Sequence, residues 1–182
     1  MRDTDLYKAI LGLESPWTVA RVDVNIDERR VDVYAEHGSK KSWPCPQCNT
    51  PCGLHDHEPE RSWRHLDSCQ FQTVLHARVP RVRCDEHGVR QVKVPWAEPK
   101  SRFTALFERL VIDILLHTDV SGAAKICGLS WDEVHGIMTR AVARGLARRE
   151  HKVPSRIGID EKSVASGHRY ATVVVDLDHP DG

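Results

Sequence analysis

The sequence shows no excess charge of either sign, no long apolar run, no internal repeat and no low-complexity stretch. Its 182 residues carry 26 basic and 26 acidic side chains, so overall charge does not by itself point to a polyanionic partner. No apolar segment approaches the roughly 20 residues that a membrane-spanning helix needs. The opening residues, MRDTDLYKAILGLES, place acids early and hold no extended apolar core, which argues against a secretory signal. A cytoplasmic protein without a membrane partner is therefore expected. In that compartment six cysteines serve better as metal ligands than as disulfides. The length suits one ordinary domain or two small ones.

The charge that is present is unevenly placed. Residues 1–36 carry five Lys/Arg against eight Asp/Glu, a net of −3, whereas residues 140–156 carry six Lys/Arg against Glu150 alone, a net of +5. Attraction to phosphate acts over about a Debye length, ~8–10 Å, so a local basic segment in a neutral chain can still bind a polyanion.

Periodicity divides the chain. Residues 4–13 read as a short helix with Leu6, Ile10 and Leu13 at helical spacing. Two alternating runs, Thr18 to Ile26 and Arg30 to Tyr34, flank the polar Asp27-Glu28-Arg29 and predict a hairpin. From Cys45 to about Pro95 no helical period lasts, strands are expected around Phe71–Arg83 and Val89–Val94, and large aliphatics are few. Such a segment needs another source of stability. From Ser101 the period turns helical, with Phe103, Leu106, Phe107, Leu110, Ile114 and Leu115 as the apolar stripe. A short helix, Ser121–Cys127, a turn at Gly128-Leu129-Ser130 and a longer helix from Trp131 to about Arg148 follow. Ser130 and Glu133 form an S-x-x-E capping box at its start. Beyond Pro154 come a strand, a turn at Gly167 and a second strand, Tyr170–Leu177.

Cys45-Pro46-Gln47-Cys48 has the two-residue gap that brings two thiolates to one ion from a tight turn. Cys84-Asp85-Glu86-His87 repeats the gap with an imidazole last, and 35 residues separate the pairs. Together they offer a Cys3His tetrahedral set, the donor set of a structural zinc, with no position left open for chemistry. Cys52, His55 and His57 lie near enough to replace one of these ligands. Cys69 and Cys127 read as small buried apolar residues, and His65 as a packed or surface histidine.

Ala124, Gly128 and Val134 fall where a helix-turn-helix needs a small residue, a turn glycine and an apolar anchor. Val134, Ile137, Met138 and Ala141 form the inward stripe of the second helix. Asp132, His135, Thr139 and Arg140 lie on the other face, and Arg144, Arg148 and Arg149 follow toward its end. In such a motif the early part of the second helix meets base edges and later basic residues meet phosphates. His135, Thr139, Arg140, Arg144, Arg148 and Arg149 are thus the expected contacts to double-stranded DNA, and Trp131 reads as a packing residue.

Ile157-Gly158-Ile159-Asp160-Glu161 ends an apolar strand in adjacent carboxylates, and a hairpin into Val173-Val174-Val175-Asp176 follows. Ribonuclease-H-like nucleases begin in this way, holding Mg2+ between carboxylates. Spacing alone also describes an ordinary strand-end carboxylate. Neighbours on a strand face opposite ways, so only one of the pair can enter a site, and Asp160 is the expected one.

These motifs together resemble the bacterial ISL3-type insertion-sequence transposases. The resemblance rests on Cys45-Pro46-Gln47-Cys48, Arg61-Ser62-Trp63-Arg64-His65-Leu66-Asp67, and Pro80-Arg81-Val82-Arg83-Cys84 closing with His87-Gly88. It continues through the helix-turn-helix after Pro95-Trp96-Ala97, then Gly158-Ile159-Asp160-Glu161-Lys162-Ser163, Gly167-His168-Arg169-Tyr170 and Val173-Val174-Val175-Asp176, covering about residues 40 to 178. It implies a ribonuclease-H-like DDE domain that cuts and rejoins DNA with Mg2+, with Asp160 as its first carboxylate. That domain needs a second Asp and a Glu much further along, and Asp176 matches neither, so this chain alone is expected to be inert, as a broken gene or a partial chain.

The expected architecture is α+β: an N-terminal helix and hairpin (1–40), a zinc-bound β-rich module (41–98), a helix-turn-helix bundle (99–152) and a truncated ribonuclease-H-like β-hairpin (153–182). The expected function is recognition of transposon-end DNA for cut-and-rejoin transposition, with structural Zn2+, Mg2+ only in a full-length enzyme, and nucleoid association when DNA is bound. A homo-oligomer is compatible with this reading. The alternatives are a truncated transposase acting as a DNA-binding repressor and a zinc-scaffolded protein-interaction module.

Overall fold

In a computed structural model the described residues are 2–39, 42–148 and 153–178. The chain is a mixed α+β protein with four helices and several small sheets among those residues, and it divides into two units, Met1–Arg140 and Ala141–Gly182. None of the described helices is long and apolar enough to cross a membrane.

The first unit opens with helix α1 (Asp3–Ile10) and the hairpin β1 (Trp17–Asn25) and β2 (Arg30–His37). Asn25 Oδ1 accepts the Glu28 N–H at 3.0 Å and Arg29 takes a positive φ, closing the turn at the expected residues. The chain then makes two very short strands, β3 (Trp43–Pro44) and β4 (Pro51–Cys52), followed by β5 (Leu54–His57) and β6 (Arg61–Arg64). Strands β7 (Gln72–Ala77), β8 (Pro80–Cys84) and β9 (Gly88–Gln91) complete it. The stretch read as one strand over Phe71–Arg83 is two, because Arg78 and Val79 leave the ladder before Pro80, which has no N–H to donate.

β2 pairs in parallel with β7, Arg30 opposite Gln72 through Ala35 opposite Ala77, giving a sheet of order β1-β2-β7-β6. This sheet spans the boundary expected between residues 40 and 41. A second sheet, β5-β8-β9, carries the later cysteine. The core between these elements is richer than the sparse aliphatics of 45–95 suggest. The hairpin donates Val31, Val33 and Ala35, and four tryptophans from separate segments converge. Trp17 meets Trp96 edge-on at 4.8 Å, Trp96 meets Trp63 at 5.5 Å, and Trp17 meets Trp43 at 5.9 Å. Edge-to-face packing sets the positive rim of one ring on the negative face of the next.

Helices α2 (Ala105–Leu115), α3 (Val120–Cys127) and α4 (Trp131–Arg148) follow. Each start is capped. Thr104 Oγ1 accepts from the Phe107 N–H, Asp119 Oδ1 accepts from the Gly122 N–H at 2.7 Å, and Ser130 with Glu133 forms the expected reciprocal box. Gly128 ends α3 in the left-handed region at φ 65°, which a side chain would strain. Phe103, Phe107, Val111, Ala123, Ala124, Val134 and Ile137 are the buried cluster. Leu106 and Leu110, expected in the stripe, are 48% and 40% exposed. The buried residues of α2 are Phe107, Glu108 and Val111 instead, because the helix carries apolar residues on both sides. In α1 the same shift buries Tyr7 and Leu11 and exposes Leu6 and Ile10.

The second unit contains a two-stranded hairpin, β10 (Ile157–Ala165) and β11 (Arg169–Asp176), turning at Gly167 with φ 87°. Ile159, Val173, Val174 and Val175 are exposed on it. A lone hairpin is marginal in water, so these side chains are suited to being covered.

The cysteine-bearing region and the helices meet through residues 64–65. Arg64 exchanges backbone hydrogen bonds with Arg102 and Thr104, each at 2.9 Å, and buried His65 Nδ1 lies 2.9 Å from Thr104 Oγ1. Burial, reinforced by Arg64, depresses the imidazole to about 4. Unfolding restores a value near 6.5, so folding stability tied to His65 is complete above pH 6.5. It declines as pH falls toward 4, by on the order of 3 kcal/mol for the whole window. We predict that His65→Asn, which keeps an acceptor near Nδ1 and cannot take the proton, shows a smaller loss of melting temperature between pH 7 and 4.5 than the unaltered chain. Equal losses would contradict this.

Candidate metal centre and nucleic-acid interface

The cysteine pairs sit at the ends of two tight turns. After β3, the Cys45 N–H donates to Thr50 O and the Asn49 N–H returns to Cys45 O, both at 2.9 Å, with Asn49 at positive φ. This curls Cys45 and Cys48 toward one point. Across the core, Cys84 ends β8 opposite Gly88 of β9, and Gly88 at φ 68° permits the turn that brings His87 inward. The four ligand atoms lie within 4.8 Å of one another. Cys48 Sγ is 3.7 Å from Cys84 Sγ, and His87 Nδ1 is 3.6 Å from Cys84 Sγ and 3.9 Å from Cys45 Sγ. A tetrahedral ion with Zn–S near 2.3 Å separates its sulfurs by about 3.8 Å, close to the Cys48–Cys84 spacing, so the donor set suits zinc.

The electrostatics agree with a cation. Hydrogen bonds from the Thr50 hydroxyl and backbone lower the Cys48 thiol to about 6. At Cys84 a hydrogen bond from the His87 backbone pulls the thiol down, but burial and the neighbouring thiols push it up to about 11. With their sulfurs 3.7 Å apart, Cys48 and Cys84 ionise together only when a positive ion shares the site. Cys52, His55 and His57 are outside this group: Cys52 Sγ turns to Thr50 O at 3.3 Å, and His57 Nε2 faces His37 Nε2 at 2.8 Å. Cys69, read as buried, is exposed in a turn at positive φ, and Cys127 is half-buried.

On α4 the sequence-derived contacts divide. His135 and Thr139 are exposed, and Thr139 Oγ1 donates back to His135 O at 2.9 Å. Trp131, read as packing, is 50% exposed and stacks on His135 with ring centres 4.8 Å apart. It opens the helix, where no partner helix covers it. Arg144 is half-buried, Arg148 is exposed, and Arg149 lies outside the described residues. Arg140 is turned elsewhere: its Nη2 donates to Glu108 of α2 at 2.6 Å. Sequence reasoning passed over Glu108, although an acid between Phe107 and Val111 on the buried side of a helix is a readable anomaly.

Asp160 is exposed on β10 opposite Val173 and accepts the Glu161 N–H at 2.9 Å; Glu161, opposite Thr172, belongs to the other face. Among the described residues, Asp160 stands in no group of three or more metal-ligating side chains. Asp178, also unanticipated, ties the open end of the hairpin. It accepts from Ser155 N and Oγ at 2.6 and 2.7 Å and from Arg156 Nε at 3.0 Å, which together hold its carboxyl down to about 2.

We predict one zinc per chain by elemental analysis. Cys45→Ser, Cys48→Ser and Cys84→Ser should each bring that stoichiometry well below one, while Cys52→Ser and Cys69→Ser leave it at one. Loss of the metal in Cys52→Ser with retention in Cys48→Ser would reassign the ligands.

Two family comparisons fall on these two regions. Residues 41–87 match the zinc-finger of transposase IS204/IS1001/IS1096/IS1165, and residues 92–142 match the helix-turn-helix domain of transposase family ISL3. The transposase for insertion sequence element IS1557 of Mycobacterium tuberculosis is 31% identical over 188 residues, covering 98% of this chain and 41% of its own length. The transposase for insertion sequence element IS1001 of Bordetella parapertussis is 26% identical over 178 residues, covering 97% and 43%. The chain therefore spans about two fifths of the length of the curated relatives it matches. No solved structure matches it. With both regions in this order and relatives aligned along nearly its whole length, the chain carries the zinc finger and the helix-turn-helix domain of an ISL3-family transposase.

Proposed function

We propose that the chain recognises the end DNA of an insertion sequence on behalf of a DDE transposase, with α4 as the reading helix. The observation that carries this is the outward face of α4. Trp131, His135 and Thr139 stand exposed on its first turns, while Val134 and Ile137 are completely buried beneath them. A helix fixed on one side and polar on the other, entered through a tight αL turn, suits insertion into a major groove. Arg144 and Arg148, at i,i+4 spacing on the same helix, are then positioned for phosphates, and Arg149 extends the basic run. The zinc module (41–98) and the helical module (99–152) act together as the recognition part. A homo-oligomer suits paired element ends, in a cytoplasmic, nucleoid-bound assembly.

Residues 153–182 are proposed as the opening of the ribonuclease-H-like domain. The exposed apolar side chains of β10 and β11 support this, since they suit a hairpin built to be covered by further sheet and helices. Asp160 would be the first carboxylate for Mg2+, with its partners supplied from beyond this chain.

The test is selection of duplexes from a random-sequence library by the zinc-loaded chain. A defined sequence should emerge. His135→Ala or Thr139→Ala should cost about 1–3 kcal/mol of discrimination at particular base pairs. Arg144→Ala and Arg148→Ala should weaken all duplexes alike and each reduce the slope of log affinity against log salt by about one. Failure to enrich any sequence would contradict the proposal.

A further inference from the structure

The contact between α2 and α4 contains a charged pair where most helix pairs place only apolar groups. Glu108 is 2% exposed, on the same helix as the buried Phe107 and Val111 of the helical core. Its Oε1 accepts from Arg140 Nη2 at 2.6 Å and from the Ser101 hydroxyl at 2.8 Å. Ser101 is itself buried, and its Oγ accepts the Phe103 N–H at 3.0 Å. One connected path therefore runs from the lead-in of α2, through the carboxylate, to the middle of α4.

A carboxylate removed from water must keep its cation and its hydrogen-bond donors. Arg140 Nη2 and the Ser101 hydroxyl both meet Oε1 of Glu108, one from α4 and one from the lead-in of α2, so the carboxylate constrains direction as well as distance. Apolar packing at Val134 and Ile137 resists separation of the helices but is tolerant of small rotations. The rotation matters for recognition. Turning a helix by about 20° moves a side-chain tip some 6 Å from its axis by about 2 Å, more than a base-edge hydrogen bond can absorb.

We propose that Glu108 and Arg140 are positioning residues for DNA recognition. The buried pair sets the rotation of α4 against α2, and with it the aim of His135 and Thr139. Arg140 makes no phosphate contact, although it lies in the basic run and on a DNA-reading helix. This rests on the assignment of α4 as the reading helix.

The experiment uses the full zinc-loaded chain with the library-selected duplex and a scrambled duplex of equal length, titrated at several salt concentrations. Circular dichroism at the assay temperature confirms that each variant is folded. Glu108→Gln and Arg140→Gln should each lower the ratio of selected to scrambled affinity about tenfold. Scrambled-duplex affinity and the salt slope should stay unchanged. The double variant, in which two amides replace the ion pair, should lose less than the product of the single losses. A salt slope lower by about one in Arg140→Gln, with weaker binding to both duplexes, would make Arg140 a phosphate contact and overturn the proposal. Independent single effects would also overturn it. If Arg140→Gln does not fold, Arg140→Lys replaces it: that variant keeps the charge but loses the reach and direction of the Nη2 donor, so the ratio should still fall. A chain that selects no sequence at all would instead overturn the assignment of α4, which the variants alone cannot do.

Discussion

The mutual packing of four tryptophans, two of its contacts edge-to-face and one tilted, is the constraint on which the first unit depends. Trp17 starts the N-terminal hairpin, Trp43 precedes the first ligand turn, Trp63 lies in the central sheet, and Trp96 stands just before the helices. No two of them are neighbours in sequence, so their convergence ties four segments that local structure leaves independent. The parallel pairing of β2 with β7 is possible because the chain leaves the sheet after β2, forms the cysteine turn and returns as β6, which pairs antiparallel with β7. The Cys45–Cys48 turn between β3 and β4 meets Cys84 and His87 between β8 and β9, and Trp43 ties that turn to the other tryptophans.

That scaffold has a consequence for the helices. The backbone of Arg64 and the side chain of His65 hold the start of α2, Thr104 caps it, and α2 in turn carries Glu108. The path from the cysteine-bearing region to α4 is therefore a series of packed and hydrogen-bonded contacts, not a flexible tether. A DNA-reading helix on a tether would lose orientation entropy with every encounter, whereas one mounted on a sheet presents its side chains already aimed.

Much of this was readable from the residues. The capping box at Ser130 and Glu133, the αL glycine at 128 and the hairpin turn at 27–29 depend on local chemistry, so their places followed from sequence alone. The paired C-x-x-C and C-x-x-H spacings pointed to four side chains that the fold does bring together. What could not be read depends on partners far along the chain. The buried rows of α1 and α2 were displaced because both helices have apolar residues on two faces, and only the neighbouring element decides which face is covered. The Arg140–Glu108 pair was hidden because the acid lies 32 residues away, and in sequence Arg140 is one member of a basic run. The richness of the core around 45–95 was missed for the same reason: tryptophans counted singly reveal nothing of their meeting.

The measurement that tests the central claim most directly is photo-cross-linking from α4 to the selected duplex, with a benzophenone amino acid placed at His135 or at Arg83, which lies exposed on β8. If the outward face of α4 enters the major groove, the probe at 135 cross-links to bases at one defined position, and the probe at 83 does not. Base cross-links from 83 with none from 135 would mean that the zinc-bearing sheet reads the DNA and that α4 does not.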